Sequence, residues 1–138
     1  MRMKTILVGM LMMMPGMVQT VDAASATPDA LQVFKNECGA CHLAYPARFL
    51  PSASWRALLG DLSNHFGEDA SLDAETVATI EAYLVQNGER NTLVDEANPP
   101  LRISQRNWFV RQHSEGEVGW LKRNRHVKTM SDCMACHQ

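Results

Sequence analysis

Two copies of one short cysteine pattern, C-x-x-C-H, constrain this chain more than any other feature. They occupy residues 38–42 and 133–137, so all four cysteines of the 138-residue sequence fall within them. Each cysteine pair is followed directly by a histidine. The chain must therefore fold around whatever these two groups of sulfur and imidazole bind.

C-x-x-C-H is the attachment pattern of c-type haem. Two thioether bonds hold the vinyl edge of the porphyrin, and the adjacent imidazole is thereby placed under the iron as its proximal ligand. We therefore predict two covalently bound c-type haems, each with its iron. The attachment residues are Cys38, Cys41, Cys133 and Cys136, and the proximal ligands are His42 and His137.

Three other uses of the four cysteines fit less well. Structural zinc would leave both trailing histidines unexplained, and 91 residues separate Cys41 from Cys133. Two C-x-x-C disulfides would close loops too short to stabilise the fold much. A thioredoxin-like redox pair would need a flanking strand and helix, and the sequence has no apolar β-branched run.

The first 23 residues have the organisation of a secretory signal peptide, with a basic start, an apolar run at 6–14 and small residues at 21–24. We predict cleavage after Ala23, with Ala26 as the second position and an uncleaved anchor as the alternative. The apolar run is shorter than the roughly 20 residues of a membrane-spanning helix, so we expect no membrane insertion after cleavage.

Charge divides the mature chain in two. Residues 24–98 have 4 basic and 11 acidic side chains, whereas residues 99–138 have 7 basic and 3 acidic ones. The basic end is too small and too poor in interleaved aromatic residues for a nucleic-acid site, and export also argues against that partner, so we expect none. Both a solvated face and a docking patch for a partner protein fit this distribution.

Helical periodicity organises residues 24–88, for which we predict an N-terminal haem domain. One helix starts at residues 27–29 and leads into the first motif. A second runs from a cap at Ser52 or Ser54 to Gly67, and a third covers roughly residues 73–86. The apolar positions expected to face the core are Leu31, Phe34, Trp55, Leu58, Leu59, Leu62, Phe66, Val77, Ile80, Tyr83 and Leu84.

Residues 89–100 are polar and end in two prolines, which predicts a linker. The smaller C-terminal haem segment follows at residues 101–138. In it we predict a short helix that is capped by Ser104 and ended by Gly116. No helix can follow the second motif, so we expect the second haem to be more exposed and to be held partly by Trp108 and Trp120.

The second axial ligand of each iron is predicted to be histidine. After signal cleavage only Met130 and Met134 are left, and both lie too close to the second motif to reach the far face of its haem. His65 lies on the apolar side of the predicted second helix. We therefore predict that His65 binds the first iron.

His113 and His126 compete for the second iron. His113 lies 24 residues before the proximal histidine of its motif, which resembles the interval of 23 residues in the first half of the chain. His126 lies only seven residues before Cys133, among cationic side chains that are costly to bury. We predict that His113 is the ligand, with His126 as the alternative.

Several short segments outside the two motifs are also distinctive: Tyr45-Pro46, Leu50-Pro51, Ser54-Trp55-Arg56, His65-Phe66-Gly67-Glu68 and Leu101-Arg102-Ile103. Together with the motifs, they resemble the bacterial dihaem cytochrome c family, over essentially the whole mature chain and most specifically between residues 37 and 73. One departure is Ala47, where a second proline is common.

The resemblance implies a mainly α fold, with an N-terminal domain similar to class I cytochrome c and a smaller, extended C-terminal haem segment. Both irons would be six-coordinate with two histidines each, His65 matching the distal ligand of the first haem and His113 that of the second. The implied function is periplasmic electron transfer by a carrier, which we expect to be a monomer. Implied partners are other redox proteins, among them a small monohaem oxygen-binding cytochrome and a membrane b-type cytochrome.

Two other functions use the same cofactors. A dihaem peroxidase or nitrogen-oxide reductase needs one iron with an open position and a distal acid or base, and this chain is short for such a cavity. A gas-binding haem protein is the second alternative. Carbon monoxide binding to the reduced protein distinguishes both from a carrier.

Overall fold

A computed structural model describes residues 28–90 and 94–137, and within these ranges the chain is mainly helical, with two isolated β-bridges and no strand. The prediction of a mainly α fold is confirmed. The predicted signal peptide at residues 1–23, and residues 91–93 of the predicted linker, lie outside the described residues. In the part of the chain that is described, no helix is both long and apolar enough to cross a membrane.

Three helices form the N-terminal part: α1 (Pro28–Gly39), α2 (Ser52–Leu59) and α3 (Ala74–Asn87). Asp73 caps the start of helix α3: its carboxylate accepts hydrogen bonds from the backbone N–H groups of Glu75 and Thr76 at 3.1 and 2.9 Å. Such a cap satisfies two of the donors that a helix start leaves free. Helices α1 and α2 both pack on α3.

The core lies between these helices and the 3-10 turn Ala47–Phe49. The indole N–H of Trp55 donates to the carbonyl of Ala47 at 2.7 Å, which fixes the loop after the first motif against α2. Each fully buried leucine or isoleucine contributes about 1.5–3 kcal/mol. The buried cluster comprises Phe34, Ala47, Leu50, Trp55, Leu59, Ile80 and Leu84.

The end of α3 is fastened to the start of α2. The hydroxyl of Ser52 donates to the carbonyl of Val85 at 2.8 Å, and the backbone N–H of Glu89 donates to the carbonyl of Leu50 at 2.9 Å. A Cβ at Gly88 would lie 2.9 Å from the Ser52 hydroxyl oxygen, so only glycine permits this approach. Glu89, where the predicted linker begins, is therefore held to the N-terminal part.

Helix α2 is shorter than predicted. It ends at Leu59 instead of continuing to Gly67, because the chain turns at Gly60 and Asp61 into the 3-10 turn Leu62–Asn64. The apolar period continues across this break, which is why periodicity alone overestimated the helix. Phe66, predicted to face the core, is 46% exposed.

The C-terminal part contains two short helices, α4 (Asn107–Gln112) and α5 (Glu115–Asn124). The prediction of one helix from Ser104 to Gly116 was wrong: Ser104 lies in a separate 3-10 turn, and Gly116 lies in the first turn of α5. Helix α5 has acidic residues in its first turn and basic ones in its last, which stabilises a helix with a weak apolar pattern.

Candidate haem sites

The two C-x-x-C-H motifs share one local geometry. In each, the backbone N–H of the histidine donates to the carbonyl of the first cysteine, at 3.4 Å for His42 and 2.8 Å for His137. One helical turn thus separates the first sulfur from the imidazole. The first motif extends the end of α1, and the second forms the 3-10 turn Cys133–Ala135, which the Asp132 carboxylate caps.

No disulfide joins the four cysteines in the described residues. In the described ranges, no three histidine, cysteine or acidic side chains converge to hold a metal ion by themselves, as a zinc site would require. Burial raises the pKa of Cys38, and the charge of Glu37 and the Cys41 thiol add to the shift.

His65 lies opposite His42. The centres of the two imidazole rings are 6.1 Å apart, and the ring planes differ by only 14°. The prediction that His65 lies on the second helix was wrong. His65 lies in a tight loop, in which its backbone N–H donates to the carbonyl of Glu68 at 2.8 Å. Left-handed φ angles at Phe66 and Gly67, 57° and 103°, allow this loop to turn.

His113 lies opposite His137 at the same separation. Their ring centres are also 6.1 Å apart, with the planes inclined at 60°. His113 follows the last residue of α4, and its ring stacks on Phe109. His126 is exposed beyond the end of α5, and none of the ring contacts in the described residues involves it. The structure thus brings His113, and not His126, to the second motif.

Both separations fit an iron held between two imidazoles. A transition metal binds an imidazole nitrogen at about 2 Å, and that nitrogen lies about 1 Å from the ring centre, so two rings on opposite sides of one metal have their centres about 6 Å apart. The donor atoms are also of the right kind, since imidazole is an axial ligand of haem iron and the thiols form its thioethers.

Hydrogen bonds orient two of the four rings. Nδ1 of His42 lies 2.7 Å from the carbonyl oxygen of Leu43, and Nδ1 of His113 lies 3.0 Å from that of Phe109. A carbonyl only accepts, so Nδ1 carries the proton in both rings, and the lone pair of Nε2 is available to a metal. Burial, and secondarily His42, lower the pKa of His65, and a lower pKa favours the neutral ring that can bind metal.

The N-terminal and C-terminal parts of the protein are joined by contacts that the sequence did not indicate. The Arg102 guanidinium lies 4.1 Å from the centre of the Phe66 ring, beside the His65 loop. The Arg106 guanidinium pairs with the Glu89 carboxylate at 2.6 Å, in a position where both side chains are mostly buried. Residues this far apart in the chain meet only through the tertiary fold, so no local signal predicts them.

Most cations of the basic end are engaged within the protein. Besides Arg102 and Arg106, two of them pair with Glu115 and another donates to a backbone carbonyl of the second motif. The residues that engage Glu115 and the second motif are Lys122, Arg123 and Arg125.

Trp108 packs against Phe49, with ring centres 5.0 Å apart, whereas Trp120 is 69% exposed.

Comparison with known proteins finds relatives of this chain. A sequence profile of the family described as dihaem cytochrome c matches residues 34–138. A diheme cytochrome c from Rhodobacter sphaeroides is 44% identical, with a TM-score of 0.66 over 77% of this chain and 89% of that one. A diheme cytochrome type c from Shewanella baltica OS155 is 39% identical, with a TM-score of 0.64 over 78% of this chain and 80% of that one. No curated protein sequence matches the chain.

Proposed function

The chain belongs to the dihaem cytochrome c family and carries two c-type haems, and on that premise we propose that it is a periplasmic electron carrier in which two histidines hold each iron. The proposed pairs are His42 with His65, and His137 with His113. When bound, each haem supplies an iron that changes between the ferrous and ferric states and so carries one electron.

The observation that carries this proposal is the equal separation of the two histidine pairs. Both pairs have ring centres 6.1 Å apart, although they come from different loops of the chain. This spacing leaves room for one metal atom between the rings and for no further ligand. The hydrogen bonds at Nδ1 of His42 and His113 hold two of these rings in the required tautomer.

Occupied axial positions favour a carrier over an enzyme. A peroxidase or reductase needs a position on one iron where an oxygen or nitrogen species can bind. Two imidazoles per iron fill both positions with protein groups. Histidine in place of methionine also lowers the reduction potential, because a methionine ligand raises it.

The location and the partners belong to the same proposal. The N-terminal segment, with its basic start, apolar run and small residues, supports export to the periplasm. Other redox proteins would exchange electrons with this one, among them a small monohaem oxygen-binding cytochrome as acceptor and a membrane b-type cytochrome as donor. The protein would act as a monomer that binds no nucleic acid and is not inserted in a membrane.

A redox titration of the purified, haem-loaded protein, followed in the visible spectrum, tests the proposal. We expect two one-electron steps, both at lower potential than those of cytochromes with a methionine ligand, and no spectral change when carbon monoxide is added to the reduced protein. Carbon monoxide bound to one iron per chain, or steady turnover of peroxide, would instead indicate a dihaem enzyme or a gas-binding protein.

A further inference from the structure

Tyr45 contacts the histidine of the first haem-binding motif and the segment that leads into the second. Its ring centre is 5.0 Å from that of His42, with the planes inclined at 21°. Its hydroxyl donates to the carbonyl of Ser131 at 3.1 Å, across a sequence separation of 86 residues. Ser131 lies two residues before Cys133, the first cysteine of the second motif.

We propose that Tyr45 is the side chain through which the two haem centres are coupled for electron exchange. The inference rests on the proposed function, in which both centres carry electrons. On one side the phenol ring packs on the imidazole of the proposed first-iron ligand, His42. On the other side its hydroxyl donates to the carbonyl of Ser131, two residues before Cys133, whose sulfur would become a thioether of the second haem.

The contacts form a short, continuous path between the centres. It runs from the His42 imidazole through the phenol ring and hydroxyl to the Ser131 carbonyl, and from there along two residues of backbone to Cys133. Electron tunnelling weakens less steeply through packed atoms and hydrogen bonds than across gaps. In the exchange step the ferrous iron of one centre loses one electron, the ferric iron of the other gains it, and no bond or proton is transferred.

The hydrogen bond to Ser131 gives Tyr45 a positioning role as well. Ser131 lies two residues before Cys133, so the bond sets the distance between the attachment loop of the second haem and the N-terminal part. The two roles differ in what they would change. Loss of positioning alone alters stability or haem attachment, whereas loss of the path alters the exchange rate while both centres keep their spectra.

The test compares Tyr45→Phe and Tyr45→Leu with the native protein and with Tyr83→Phe. Tyr83 is a suitable control because its ring packs on Phe34 at the core, with centres 5.4 Å apart, and no ring contact or side-chain hydrogen bond found in the described residues joins it to His42 or to the second motif. Intramolecular exchange is measured in half-reduced protein from the exchange broadening of haem methyl proton resonances. The optical spectra and both reduction potentials are measured on the same samples.

We expect Tyr45→Phe to slow the exchange severalfold and Tyr45→Leu by about an order of magnitude, with unchanged low-spin spectra, while Tyr83→Phe exchanges at the native rate. Native exchange in Tyr45→Phe would remove the hydroxyl from the path and overturn the inference. That variant lacks a single oxygen atom, so it decides the matter even if Tyr45→Leu fails to bind haem. If the native protein itself shows no electron exchange between the two centres, the proposed function is overturned as well. That result is distinct from a failure of the inference about Tyr45 alone.

Discussion

Nδ1 of His113 donates a hydrogen bond of 3.0 Å to the carbonyl of Phe109, and the two rings stack with their centres 3.9 Å apart and their planes within 9°. Helical spacing of four residues makes both contacts possible at once. Phe109 is 6% exposed, so its ring is a fixed surface against which the imidazole is held. The second proposed axial ligand is therefore oriented by a residue of the core.

Replacing Phe109 with leucine should loosen the second centre without unfolding the protein. The smaller side chain keeps an apolar group at a cost of about 1 kcal/mol but removes the stacking surface. We expect part of the second haem to bind carbon monoxide in the reduced protein. Val110→Ala, on the same helix at a position that is 53% exposed, should leave the spectrum native. A native spectrum in both variants would contradict the orienting role of Phe109.

Single substitutions distinguish the two candidate ligands of the second iron. His113→Ala should make one of two irons high-spin and open it to carbon monoxide, because the distal imidazole is removed. His126→Ala should leave the spectrum unchanged, since that side chain is exposed beyond the end of α5. The visible and carbon monoxide difference spectra record both outcomes. The reverse pattern would assign the ligand to His126.

The end of α3 should not tolerate a methyl group. In Gly88→Ala the new Cβ would lie 2.9 Å from the Ser52 hydroxyl and 3.0 Å from the Leu84 carbonyl, so the junction with α2 must open. We expect a loss of about 1–3 kcal/mol in the free energy of unfolding, measured by denaturant titration. Gly116→Ala is the matched control, because its Cβ meets nothing nearer than 3.9 Å and alanine favours a helix by about 0.5–1 kcal/mol. Equal stability of the two variants would contradict the close packing at Gly88.

The ion pair between Arg106 and Glu89 should contribute more than an exposed pair. Its side chains are 17% and 26% exposed, so water screens it weakly. We expect Arg106→Gln to lower the free energy of unfolding by about 1–2 kcal/mol, against less than about 0.5 kcal/mol for Arg56→Gln. Arg56 is the control because its pair with Glu81 is longer, at 3.8 Å, and 55% and 42% exposed. Unfolding curves that rank the two variants the other way would refute this difference.

The start of helix α1 and both ends of helix α3 could be predicted almost to the residue, because an apolar period coincides there with local start or stop signals. Helix α2 could not, since Leu62 and Phe66 continue the period beyond the turn at Gly60. Both attachment motifs could be located from spacing alone. The contacts of Tyr45 with Ser131, and of Arg106 with Glu89, depend on which segments meet in space, and nothing local to those residues specifies that.

The electron paramagnetic resonance spectrum of the fully oxidised protein tests the central claim, two haems with two histidine ligands each, most directly. The nearly parallel imidazoles of His42 and His65, inclined at 14°, should produce a rhombic low-spin signal. The crossed pair His113 and His137, at 60°, should produce a more strongly anisotropic low-spin signal, because crossed ligand planes bring the two iron d orbitals closer in energy. The integrated intensities of these two signals should together equal all the iron, two atoms per chain. A high-spin ferric signal equal to one iron per chain would contradict it.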